Sequence, residues 1–149
     1  MENLFEVSEV KLTYKRTLEL SEMLKALSSK EIYNLLKECF NPETIDLTVS
    51  FKVLLLSPAK NVIGILNVSE GHSYAKETVR LIMQAALISN ATQIIIAHNH
   101  PDGDLTIRAL DDCITKQVKK AGEMFGVELL DSIIITSDSY YSYADNGKI

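Results

Sequence analysis

Hydrophobic positions recur along the chain at two different spacings, which predict a definite order of helices and strands. Ser28 stands three residues before Glu31 in a capping-box pattern, and apolar residues at helical spacing follow it up to the break at Asn41-Pro42. The elements predicted downstream are strands at 48–56 and 62–68, a helix at 77–89, a strand at 93–97, a helix at 106–125, and strands at 129–136 and 140–143.

The order of these elements indicates an α/β fold, namely a three-layer sandwich with a mixed sheet. The uninterrupted apolar run at 93–97 is typical of a strand that is covered on both faces. We expect the helices at 77–89 and 106–125 to cover the sheet, and the N-terminal helix to pack on one flank. The loose alternation of residues 4–15 predicts an edge strand, whereas residues 18–26 fit either a short helix or irregular structure.

Length and composition are those of one ordinary globular domain, with 149 residues, 46% of them hydrophobic and 23% charged. We assign residues 1–27 to an N-terminal extension and residues 28–149 to the core. The formal net charge of −5 argues against broad, charge-driven binding of nucleic acid, although it leaves a local basic patch open. No pattern in the sequence indicates an oligomeric state.

The N-terminus, the apolar stretches and the cysteines indicate the cellular compartment of the protein. The N-terminus has no basic region followed by a long apolar run, and no apolar stretch reaches the length of a membrane span. Cys39 and Cys113 lie far apart without a Cys-x-x-Cys pattern, so we expect both to be buried free thiols. These features together predict a cytoplasmic protein that does not bind a membrane.

Two histidines stand at the end of the predicted strand 93–97. Side chains two residues apart on a strand share a face, so His98 and His100 point the same way. Asp111 follows eleven residues after His100, early in the next predicted helix. Two imidazoles and a carboxylate suit one Zn²⁺ ion, with a fourth position left for water. Histidines are also common as core or surface residues, so the spacing alone leaves the structural and metal-binding interpretations both open.

The segment from His98 to Gly103 reads His-Asn-His-Pro-Asp-Gly and resembles the RadC family, a branch of the JAB/MPN metalloprotease-like proteins that carry the JAMM zinc motif. Further similarity in residues 51–56, at Arg80, in residues 119–123 and in residues 129–131 extends the resemblance over about residues 28–147. The resemblance implies a JAB/MPN, cytidine-deaminase-like α/β/α sandwich. It also implies that His98, His100 and Asp111 are zinc ligands. We expect a short form, without the helix-hairpin-helix segment that precedes this domain in longer RadC proteins.

The chain departs from the family pattern at three positions. Val49 stands where the family has the glutamate that acts as general base, and Arg108 replaces the serine that helps to hold the oxyanion. Ser132 replaces a histidine in the family's Leu-Leu-Asp-His segment. General acid–base catalysis contributes about 10²–10⁴-fold and an oxyanion donor about 10²–10³-fold, so the loss of both would leave little activity.

These departures favour a catalytically impaired or inactive relative, a pseudoenzyme that keeps its metal site and binds a peptide or another protein. Arg108 would then serve as a substrate-binding residue, and its charge would make zinc weakly bound or absent. The alternative is an active zinc-dependent metallopeptidase or isopeptidase, a JAMM-type hydrolase in which Glu70 or Glu77 acts as a surrogate base. The acidic charge balance gives no support to the DNA-repair role that the family's name suggests.

Overall fold

The computed structural model describes residues 7–70 and 76–149, apart from the side chains of residues 70, 76 and 77. Its regular elements are a 3₁₀ turn Leu20–Glu22, α1 (Ser29–Cys39), β1 (Ser50–Leu56), β2 (Val62–Glu70), α2 (Lys76–Ile88), β3 (Gln93–Asn99), α3 (Ala109–Phe125), β4 (Glu128–Ile135) and β5 (Tyr140–Ser142). The side chain of Ser28 accepts a hydrogen bond from the Glu31 amide and the Glu31 carboxylate accepts one from the Ser28 amide, so the predicted capping box opens α1.

The five strands form one mixed sheet in the order β2-β1-β3-β4-β5. β1 runs antiparallel to both β2 and β3, β4 runs parallel to β3, and β5 runs antiparallel to β4. β3 therefore lies at the centre, where its three isoleucines are fully buried, as the apolar run predicted. The parallel pair is joined through α3, the usual solution for a crossover between parallel strands.

Helices cover both faces of this sheet. α2 and α3 pack on one face, in a core cluster that includes Phe51, Ile82 and Val118. α1 packs on the opposite face, in a second cluster that includes Leu36 and Ile95. The predicted three-layer α/β/α sandwich is confirmed, and the N-terminal helix supplies its third layer instead of packing on a flank. The reason is that the α1 face of the sheet is as apolar as the other face and needs its own cover.

The predicted edge strand at 4–15 is wrong for residues 7–15, which form no strand, while residues 4–6 lie outside the described part of the chain. Val10 is 85% exposed, so the alternating pattern has no sheet to pack against. Residues 24–26 border β2 instead. The amide of Val62 donates to the carbonyl of Leu24 at 2.8 Å, and that of Ala26 donates to Lys60 at 2.9 Å.

Three smaller expectations also change. α3 begins at Ala109 and not at residue 106, because Arg108 adopts an extended backbone at the N-cap. Cys113 is exposed and Cys39 is half-buried, so the prediction of two buried thiols is wrong, although both are free. Among the described residues, no helix is long and apolar enough to cross a membrane.

Candidate metal centre

His98 and His100 stand at the carboxyl end of β3, on the face that α3 covers. Both side chains are buried, and their Nε2 atoms lie 3.3 Å apart. The ring of Phe51, the residue paired with His98 on β1, stacks on the His98 ring with centroids 6.1 Å apart. The prediction that the two histidines share one face is therefore confirmed, because strand alternation holds to the end of β3.

Asp111 completes the group from the first turn of α3. Its Oδ1 atom lies 2.8 Å from His98 Nε2, and its Oδ2 atom lies 3.2 Å from His100 Nε2. The main-chain N–H of Arg108 donates to Oδ2 at 2.7 Å, which closes the N-terminus of the helix and fixes the carboxylate. A residue from the helix thus meets two residues from the strand, as the spacing predicted.

The loop between His100 and α3 orients the second imidazole. A turn closes from the Gly103 amide to the His100 carbonyl, with Gly103 in the left-handed region that glycine adopts without strain. His100 Nδ1 lies 2.7 Å from the main-chain oxygen of Asp104 and must donate to it. When His100 is neutral, Nε2 is then left as the lone-pair nitrogen, which is the form that ligates a metal.

The pKa shifts of His98 and Asp111 suit metal ligation, whereas the shift of His100 favours its protonated form and opposes it. Burial lowers the pKa of His98, which favours its neutral form. Burial also opposes ionisation of Asp111, but hydrogen bonds from His100, His98 and the Arg108 amide hold the pKa of that carboxyl well below its usual range. For His100, burial lowers the pKa, and the hydrogen bonds to Asp111 and Asp104 outweigh it and raise the pKa overall.

The spacing of the three ligand atoms fits one tetrahedral ion. Ligands about 2.0–2.2 Å from a tetrahedral zinc ion stand about 3.3–3.6 Å from one another. The His98–His100 and His100–Asp111 separations of 3.3 and 3.2 Å are close to this range. The 2.8 Å between His98 and Asp111 is a hydrogen-bond length and would open by about half an ångström around an ion. Among the side chains that the structure describes, no other group of three His, Cys, Asp or Glu residues could hold a metal.

Arg108 lies beside this centre without binding the carboxylate of Asp111. Its guanidinium forms an ion pair with Asp102, and the two side chains are 46% and 57% exposed. Arg108 stands at the N-cap, so it reaches Asp111 only through its main chain. Of the two orientations open to the arginine, pairing with Asp111 or turning toward solvent, the structure has the second. Sequence patterns gave no signal for the Asp102 pair, because that pair depends on how the loop folds.

The other two departures also lie near the centre. Val49 is half-buried and directly precedes β1, whose Phe51 pairs with His98. Position 49 therefore stands at the same end of the sheet as the ligands. Ser132 is buried in β4, and its hydroxyl lies 2.9 Å from that of Thr115, one helical turn after Asp111. A hydrogen-bonded pair of hydroxyl groups thus stands where the family pattern has its histidine.

Carboxylates close to the centre along the chain are already engaged. Asp104 accepts hydrogen bonds from the amide and hydroxyl of Thr106, and Asp112 accepts one from the hydroxyl of Tyr143 at 2.8 Å. The side chains of Glu70 and Glu77, the two candidate surrogate bases, lie outside the described residues. The main chain of Glu70 pairs with Ser50, next to position 49.

Residues 26–148 match the family model of the RadC-like JAB domain. The chain belongs to this family. Its relatives include UPF0758 proteins of Flavobacterium johnsoniae, 34% identical over 133 residues, and of Clostridium beijerinckii, 35% identical over 137 residues. These matches cover 89% and 90% of the chain but 57% and 58% of the relatives. A UPF0758 protein of Porphyromonas gingivalis is 41% identical over 99 residues, which are 65% of the chain and 44% of that relative. This RadC-like JAB domain thus spans about half the length of the curated relatives it matches.

Proposed function

We propose that this RadC-like JAB domain holds one divalent metal ion on His98, His100 and Asp111, and that it binds a peptide or protein ligand there without efficient hydrolysis. The observation that carries the proposal is the converged triad, whose three ligand atoms lie within 4.8 Å of one another. Two nitrogen ligands and one carboxylate favour zinc, and three protein ligands leave a position for water or a ligand oxygen.

Weak hydrolysis is expected because position 49 carries a valine instead of the family's glutamate. Zinc, when bound, lowers the pKa of a coordinated water to about 7, so hydroxide forms near neutral pH. Peptide cleavage also needs a group that carries a proton to the leaving amine, and Val49 has no atom that can accept or donate one. Asp104 is engaged by Thr106, and Asp102 is engaged by Arg108.

Arg108 suggests the chemical class of the ligand. Its guanidinium is nearly half exposed and is held by a single exposed carboxylate, that of Asp102. Exposed ion pairs are weak, so a ligand carboxylate that forms two parallel hydrogen bonds can displace Asp102. A peptide carrying a carboxylate near the group that meets the metal therefore fits the site, with Arg108 as its anchor.

The test combines metal binding with a repair experiment. Purified protein is titrated with zinc in competition with a chromophoric chelator, and His98→Ala serves as the variant without a complete site. Peptide hydrolysis is then compared between the wild type and Val49→Glu combined with Arg108→Ser, which restores both family residues. We expect hydrolysis at least about 100-fold faster in the double variant. Equal rates in the two proteins would contradict the impaired-enzyme proposal.

An active zinc metallopeptidase is the second candidate, and one observation favours it. The main chain of Glu70 pairs with Ser50, one residue from position 49, at the end of the sheet where the ligands stand. As a surrogate base, Glu70 would accept the proton that Val49 cannot. On this hypothesis Glu70→Gln abolishes a wild-type hydrolytic activity that Glu77→Gln leaves intact. If neither substitution changes hydrolysis, this candidate fails.

A further inference from the structure

Asn99 stands between the two histidines, and its side chain points to the opposite face of the sheet. The side chain is fully buried. Its Nδ2 group donates to the main-chain oxygens of Ile45 at 2.7 Å and Thr48 at 2.9 Å, and its Oδ1 atom accepts from the Ser50 amide at 2.7 Å. All three hydrogen bonds go to one stretch, residues 45–50, which leads into β1.

These hydrogen bonds fix the main chain on both sides of Val49. Thr48 precedes it and Ser50 follows it, so neither neighbouring peptide group can move without breaking a bond to Asn99. β1 pairs Phe51 with His98 in antiparallel register, and this register continued by two residues sets position 49 opposite His100. Two donated bonds and one accepted bond need a side-chain amide, because a carboxylate cannot donate and a leucine can do neither.

We infer that Asn99 is a positioning residue that fixes the side chain at position 49 against His100, and so sets how far the base position lies from the metal ligands. β3 thus presents the two histidines on one face, while Asn99 on its other face holds the segment that contains position 49. The inference rests on the proposed function for its meaning in metal chemistry. Its test needs no metal, so the two can fail separately.

The experiment measures the proximity of positions 49 and 100 by disulfide formation. Val49→Cys and His100→Cys are combined in a parent protein whose native cysteines are removed by Cys39→Ser and Cys113→Ser. A disulfide requires Cα atoms about 4.4–6.8 Å apart, as in neighbouring strands. The rate of cross-linking under mild oxidation is compared with and without Asn99→Asp, which keeps the acceptor for Ser50 and loses both donors.

A matched control is Thr115→Val, which removes the buried hydrogen bond to Ser132 on the other face of the sheet. We expect rapid cross-linking in the parent, unchanged cross-linking in the control, and cross-linking at least about tenfold slower with Asn99→Asp, equivalent to about 1.4 kcal/mol. Thermal unfolding of each variant checks that it is folded, and Asn99→Ser replaces Asn99→Asp if the latter is not. Failure of the parent to cross-link, or equal rates with and without the Asn99 substitution, would overturn the inference. Failure of the unmutated protein to bind zinc would instead overturn the proposed metal site.

Discussion

Arg108→Ser is predicted to tighten zinc binding by a small factor that depends strongly on salt. Arg108 adds one positive charge beside a site for a dication, and nearly half of its side chain is exposed. For a guanidinium about 10 Å from the ion in a medium as polar as water, the repulsion is about 0.8 kcal/mol before screening. Screening reduces it to about 0.6 kcal/mol at 0.01 M salt and about 0.2 kcal/mol at 0.15 M salt.

These energies correspond to a Kd for zinc lowered about threefold at low salt and less than twofold at physiological salt. The assay is competition with a chromophoric chelator at both ionic strengths. Lys120→Ser removes an equal charge about 13.5 Å beyond Asp111 along α3 and should change the Kd less. Asp102→Asn removes the partner of Arg108 and should weaken zinc binding. An effect of Arg108→Ser that is absent at low salt, or equal at both salts, would refute the electrostatic reasoning.

Three further outcomes are expected. Loss of a residue that only supports a metal ligand typically weakens metal binding about 10–100-fold. His98→Ala removes a ligand itself and should therefore weaken zinc binding by more than this, as measured by chelator competition. Leu36→Ala, at a fully buried side chain of α1, should lower the free energy of unfolding in urea by about 2–5 kcal/mol, whereas Leu47→Ala at an exposed position should change it by less than about 0.5 kcal/mol. Gly122→Ala would press its Cβ against the main-chain carbonyl oxygen of Val127 and should therefore lower the melting temperature. In Gly64→Ala the Cβ meets only a methyl group of Leu55 at 3.7 Å, so the melting temperature should change little.

Local patterns in the sequence predicted most of the regular elements and the shared face of two of the three residues of the candidate centre. The capping box at Ser28 opens α1, and the isoleucine run of β3 is buried, because both depend on interactions within a few residues. The common face of His98 and His100 follows from strand geometry alone. The motif that begins at His98 was also sufficient to indicate the family, which the match over residues 26–148 shows.

Tertiary structure decided what these elements meet. Alternation in residues 7–15 indicated a strand, yet no strand forms there. A strand needs a partner strand, and an alternating pattern does not specify which segment would pair with it. Asp111 reaches both histidines because α3 begins at Ala109 and the Arg108 amide fixes the carboxylate. The pairing of Arg108 with Asp102 and the bonds from Asn99 to residues 45–50 likewise join parts of the chain whose separation in sequence carries no signal of contact. The sequence was therefore sufficient to predict the three candidate ligands, but only the packing of α3 and β1 against β3 decides what surrounds them.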